Sequence, residues 1–155
     1  MKKVMFICHG NICRSPMAEF LFADIITKRG LDGAFSVASS AVSSEEIGNP
    51  VYPPVKRLLS QMGIDCSKKR ARKLTEADGE NYDYLLCMDT NNVRNLMRII
   101  GKDPDDKVRL LLDYAERPGQ SIADPWYTGN FEATYRDIVD GLEGFMYYLR
   151  KGGLI

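Results

Sequence analysis

At 155 residues, with 45% hydrophobic and 27% charged content, the chain has the size and make-up of one domain (residues 1–155) able to bury its own core. Lys+Arg and Asp+Glu are equal at 21 each, so the formal net charge of +0 argues against nucleic acid or another polyanionic partner. No apolar run reaches membrane-spanning length, and Val4 to Ile7 is too short for a signal peptide's apolar region. A cytoplasmic protein with reduced thiols is therefore expected.

In chain order, Val4 to Cys8 is a continuous apolar run, the pattern of a strand buried on both faces. Ser15-Pro16 then starts a helix with apolar positions Met17, Leu21 and Ile25, and Gly30 stops it. A second strand is predicted from Ala34 to Ser39. A helix carrying Val55, Leu58, Leu59 and Met62 follows and ends at Gly63. Tyr84 to Met88 is the third strand, and Val93, Leu96, Met97 and Ile100 mark a helix closed by Gly101. Val108 to Leu112 is the fourth strand, and the last helix runs from Phe131 to Leu149. The alternation implies an α/β fold: a four-stranded parallel sheet with helices on both faces and ligands bound beyond the strand carboxyl ends. Cys8 falls at such an end.

Two segments share the spacing C-x5-R, Cys8–Arg14 and Cys66–Arg72, where chance alone gives about 0.3 matches in a chain of this composition. Context separates them. Between Cys8 and Arg14 lie Gly10 and Asn11, residue types that tolerate left-handed backbone angles, so the loop can turn successive N–H groups inward as an anion nest. The helix start at Ser15 adds its positive end, and Arg14 can grip two phosphate oxygens with its planar fork. The same dipoles stabilise a Cys8 thiolate. The second segment has no glycine and no strand before it, and reads as a solvated basic loop from Lys68 to Lys73. His9 is the single histidine and no Cys/His ligand spacing exists, so neither a structural zinc nor any other metal is expected. No G-x-S-x-G turn supports a serine hydrolase.

The stretch FICHGNICRSPMAEF resembles the N-terminus of the low-molecular-weight protein tyrosine phosphatases. DPWY (124–127) is similar to that family's acid loop, and SSAVSSEEIGNP (39–50) and YDYLLCMD (82–89) match further segments. The chemistry and the resemblance together imply Cys8 as nucleophile, Arg14 as the phosphate grip and Asp124 as general acid, then base. Residues 9–15 (His9, Gly10, Asn11, Ile12, Cys13, Arg14 and Ser15) would surround the phosphate. Ser15 would donate a hydrogen bond to the departing sulfur. The resemblance makes Asn11 and Ser39 braces of the loop, and Cys13 a thiol that traps oxidised Cys8 as a disulfide; packing under the loop is the alternative for Cys13. Ile12, Trp126 and Tyr127 would wall a slot for a flat ring.

Two positions depart from the pattern. His9 follows the nucleophile where the family usually has a small apolar residue, and Lys68 or Lys69 stands where it often carries a histidine. The expected activity is hydrolysis of phosphotyrosine in proteins or peptides, with no cofactor. Three alternatives remain: an arginine phosphatase on the same scaffold, an arsenate reductase, which would need Cys66 and Cys87 to relay a disulfide, and a non-catalytic phosphate-binding module.

Overall fold

Strand β1 (Lys2–Cys8) is apolar from Val4 onward because it serves two cores. Val4, Phe6 and Cys8 enter the larger core and Met5 and Ile7 the smaller, on opposite faces of the sheet. The computed structural model describes residues 1–155. β1 is flanked by β2 (Phe35–Ala41) and β3 (Tyr84–Cys87), with β4 (Val108–Leu110) outside β3; every pairing is parallel, in the order β2-β1-β3-β4. The strand order reverses at β1, so the connections leaving β1 and β3 diverge and open a crevice at their carboxyl ends. Cys8 ends β1 there, and Asp89 follows β3.

Helices α1 (Arg14–Lys28) and α6 (Phe131–Lys151) cover the larger core, and α4 (Thr90–Ile100) covers the smaller one through Leu96 and Ile100. Phe22 of α1 anchors the first, with ring centroids 5.7 Å from Phe6, 5.3 Å from Phe35 and 5.7 Å from Phe145. Truncating such a fully buried ring to alanine costs about 3–5 kcal/mol. Asp89 caps α4 by accepting the Asn92 N–H at 2.7 Å, and Gly101, at φ 79°, ends it as the sequence predicts.

The remaining helices are α2 (Pro53–Gln61), α3 (Glu76–Asn81) and α5 (Pro125–Thr128). Met62 does not join the α2 apolar face; it follows the helix end and is exposed. The fourth strand is shorter than predicted, because Leu111 and Leu112 belong to a 3-10 turn over Leu111–Ala115 that packs on α6. That contact needs glycine in α6: a Cβ on Gly144 would lie 2.0 Å from the Tyr114 carbonyl oxygen, and one on Gly141 2.5 Å from Leu111 Cγ. β4 is an edge strand, and its Val108 and Leu110 N–H groups donate to Asp103 Oδ2 (3.0 Å) and Asp113 Oδ2 (3.3 Å).

No helix is long and apolar enough to cross a membrane.

Candidate active site

The loop between β1 and α1 wraps around the Cys8 sulfur. Asn11 sits at φ 62°, the left-handed conformation that lets its N–H turn back to Cys8 Sγ at 3.3 Å. Gly10 does not use a positive φ; its lack of a side chain matters because a Cβ there would stand 3.3 Å from Glu46 Cγ. The backbone N–H groups of His9, Gly10, Ile12, Cys13, Arg14 and Ser15 donate to no protein acceptor. They are concentrated at the start of a 15-residue helix whose own dipole is positive at that end. Six unspent donors in the loop that follows Cys8 are suited to the oxygens of an anion.

Ser15 Oγ lies 3.0 Å from Cys8 Sγ. Below it the Asn11 side-chain nitrogen donates to Ser15 Oγ (2.7 Å) and to Ser39 Oγ (2.9 Å), and Ser39 donates to Glu19. All four polar groups from Asn11, Ser15, Ser39 and Glu19 are buried or nearly so, yet each has a partner. Ser39 therefore lies beneath the loop, bonded to the Asn11 side chain.

Arg14, 3% exposed at its side chain, is held from behind by Asp89 Oδ2 at 2.6 Å and the Ile122 carbonyl at 2.9 Å. Its other terminal nitrogen is 3.5 Å from Asp124 Oδ2. Burial works against the Arg14 charge, but the Cys8 sulfur, Asp89 and Asp124 outweigh it and raise its pKa above the ordinary value. Asp124 Oδ1 accepts the Trp126 N–H at 3.0 Å as the cap of α5, with Pro125 at the first helical position.

A cavity of about 160 Å³ joins these parts, lined by Cys8, His9, Gly10, Ile12, Cys13, Arg14, Glu45, Glu46, Asp124, Trp126 and Tyr127. Asn11 and Ser15 lie beneath it and outside its lining. Trp126 and Tyr127 stand at its mouth, 52% and 84% exposed, and the Trp126 ring is 4.8 Å from that of Tyr52. His9 Nε2 reaches Glu45 Oε2 at 3.0 Å on the rim, so His9 is neither alone nor buried. Cys13 is 5% exposed; burial, with Cys8 and Asp124 nearby, pushes its thiol up to about 12.

The basic segment does more than its composition suggests. Lys68, Arg70 and Lys73 are exposed as a solvated loop would have them, but the segment also supports the Cys8 loop: Arg72 N–H donates to Asn11 Oδ1 at 3.1 Å and Lys69 Nζ to the Ser39 carbonyl at 3.0 Å. Lys69, not Lys68, is the residue in place there, and Cys66 is a buried member of the larger core. Sequence reasoning did not single out Asp89, Glu19 or Glu45. Asp89 had a readable signal, an acid directly after a buried strand and before a helix; Glu19 and Glu45 had none. No group of three His, Cys, Asp or Glu side chains converges as metal ligands.

The family pattern described as low molecular weight phosphotyrosine protein phosphatase matches residues 3–153. The chain is 37% identical over 152 residues to the low molecular weight protein-tyrosine-phosphatase YfkJ of Bacillus subtilis, with 97% of each chain covered. The crystal structure of YfkJ superposes with a TM-score of 0.92, covering 98% of this chain and 96% of that one. The human low molecular weight phosphotyrosine protein phosphatase is 37% identical over 149 residues, 94% of each chain. A Drosophila arginine phosphatase structure is 29% identical with a TM-score of 0.84, covering 96% of this chain and 97% of that one. This chain is thus a member of the low molecular weight phosphotyrosine protein phosphatase family.

Proposed function

We propose that the protein hydrolyses phosphotyrosine in proteins or peptides through a cysteinyl-phosphate intermediate. The observation that carries this reading is that Cys8, Arg14 and Asp124 line one cavity together with His9, Gly10, Ile12 and Cys13, whose N–H groups, with that of Arg14, are unspent. Cys8 attacks phosphorus in line as the bond to the phenolic oxygen breaks, and Asp124 gives that oxygen its proton. Arg14 and the loop N–H groups hold the three equatorial oxygens as charge shifts across them. Asp124, now a carboxylate, takes a proton from the water that displaces sulfur, and Ser15 hydrogen-bonds the departing thiolate. The loop and Arg14 neutralise the phosphate themselves, so the chemistry requires no metal.

Residues 1–155 act as one phosphatase domain in this reading. Its setting is the cytoplasm, where a thiolate nucleophile beside three further free cysteines stays reduced. Cys13 serves as the trap for oxidised Cys8. Cys66 and Cys87 belong to the packing: both are buried, and burial pushes both thiols up, which weakens the arsenate reductase alternative. A pure binding module would require neither nucleophile nor acid.

The likeness to an arginine phosphatase makes phosphoarginine the competing substrate. Ile12 favours the phenol, because its branched apolar side chain lines the cavity beside Trp126 and Tyr127. Competing phosphotyrosine and phosphoarginine in one assay tests this. Wild type should prefer phosphotyrosine, and Ile12→Thr should move the ratio toward phosphoarginine by roughly 10–200-fold at most, the range of pocket contacts of methyl size. A wild-type preference for phosphoarginine would overturn the substrate and leave the mechanism.

A further inference from the structure

The polar groups beneath the loop admit one direction of donation. A backbone N–H can only donate, so the Asn11 atom 3.1 Å from Arg72 N is its oxygen, and the Asn11 nitrogen must face Ser15 and Ser39. Both hydroxyls then accept from Asn11. Ser39 spends its own proton on Glu19, and Ser15 is left to spend its proton on the Cys8 sulfur. The direction suits a thiolate. The far end of this chain, however, is Glu19, a carboxylate only 17% exposed that would oppose a second negative charge on sulfur.

Lys69 faces that carboxylate. Its side chain is 12% exposed, with Nζ 3.4 Å from Glu19 Oε1 and 3.0 Å from the Ser39 carbonyl oxygen. The charged or titratable groups around it are Glu19 from α1, Arg72 from its own segment and Cys8 from β1. Burial lowers the Lys69 pKa, while Glu19 and Cys8 draw its charge in and Arg72 repels it.

We propose that Lys69 is a positioning residue for the reaction: acting through Glu19 and Ser39, its cation cancels the carboxylate charge under the loop and keeps Cys8 reactive as a thiolate. The proposal rests on Cys8 being the nucleophile. Lysine also starts from a far higher unperturbed pKa than the histidine that the family often carries here.

The test reads Cys8 directly, by its rate of alkylation with iodoacetamide across about pH 5 to 8, since the thiolate is the form that reacts. Lys69→Met should slow alkylation by about threefold to tenfold and move the acid limb of kcat/KM for phosphotyrosine to higher pH. Lys69→Arg should stay near wild type, and Lys69→Met combined with Glu19→Gln should recover most of the rate, because no charge is left unopposed. Equal alkylation of wild type and Lys69→Met would overturn the proposal, as would a double variant no faster than the single one. If Lys69→Met fails to fold, Lys69→Gln carries the test. It should be alkylated about threefold to tenfold more slowly than wild type, and equal rates would refute the proposal. Phosphotyrosine left uncleaved by wild type would instead sink the assigned activity, leaving the alkylation pattern to be judged separately.

Discussion

Asp124 Oδ2 stands 3.5 Å from a terminal nitrogen of Arg14, so the proposed acid and the proposed phosphate grip face one another across a single opening. Arg14 is fixed on its other side by Asp89 and the Ile122 carbonyl, which leaves the Asp124 side as the one from which it can meet substrate oxygens. A leaving oxygen bonded to that phosphate is then within reach of the carboxyl.

This placement predicts how Asp124→Ala will fail. General-acid help is worth roughly 10²–10⁴-fold and matters least when the leaving anion is already stable. The variant should lose most of its rate on aryl phosphates with poor leaving groups and little on those with good ones. A Brønsted plot of kcat against leaving-group pKa measures this; a uniform loss would mean that Asp124 only caps α5.

Cys8→Ser should abolish turnover while binding of phosphate or vanadate persists, since Arg14 and the free N–H groups remain. Cys66→Ser should keep a rate near wild type, because Cys66 is a core residue that does not line the cavity. Steady-state rates check the activities, and direct titration of Cys8→Ser with phosphate or vanadate by calorimetry checks the binding. Equal loss in the two variants would void the choice between the two Cys–Arg segments.

Mild peroxide should inactivate the enzyme reversibly. The Cys13 thiol, pushed up to about 12 by burial, stays protonated at neutral pH, so Cys8 is oxidised first. Its sulfenic acid condenses with the Cys13 thiol to a disulfide, releasing water, and a dithiol restores both. Peptide mass mapping should find the Cys8–Cys13 bond, and Cys13→Ser should lose activity irreversibly. Recovery identical in wild type and variant would contradict the trap.

The Arg72–Asp78 pair makes stability depend on acid. Burial pushes the Asp78 pKa up, but Arg72, at 3.0 and 3.2 Å, and Thr75 outweigh it, leaving the pKa below its ordinary value. A carboxyl lowered on folding stabilises fully above its unfolded value, near 3.9, and loses that contribution as pH falls through the folded value. Asp78→Asn should therefore cost about 1 kcal/mol at neutral pH, kept small by solvent at the part-exposed Arg72, and almost nothing at about pH 2. Urea midpoints at the two pH values test it; a pH-independent difference would assign the loss to the α3 cap instead.

Much of this architecture was legible in the sequence where burial is two-sided or periodic. β1, α1, α4 and α6 carry apolar residues at the spacing their faces require, and the Cys8–Arg14 loop carries its glycine and asparagine. The signal failed where packing overrides pattern. Leu111 and Leu112 look like strand residues, but the glycine notches of α6 draw them into a 3-10 turn. The short α3 was missed because Asp78 is its one buried residue, although the Thr75–Asp78 capping box marks its start. The basic run from Lys68 to Lys73 looked solvated because its contacts with the loop run through the Arg72 backbone and the end of the Lys69 side chain, which composition does not reveal.

The carboxylates of Asp103 and Asp113 give β4 a further property. By occupying the N–H groups of Val108 and Leu110, they leave that border of the sheet without free donors for an incoming strand. Crowded copies of the protein thus have no ready seam along which to stack into a growing fibre on this side. Replacing Asp103 with alanine would bare the N–H groups of Lys107 and Val108 together and give such a seam its first stitch.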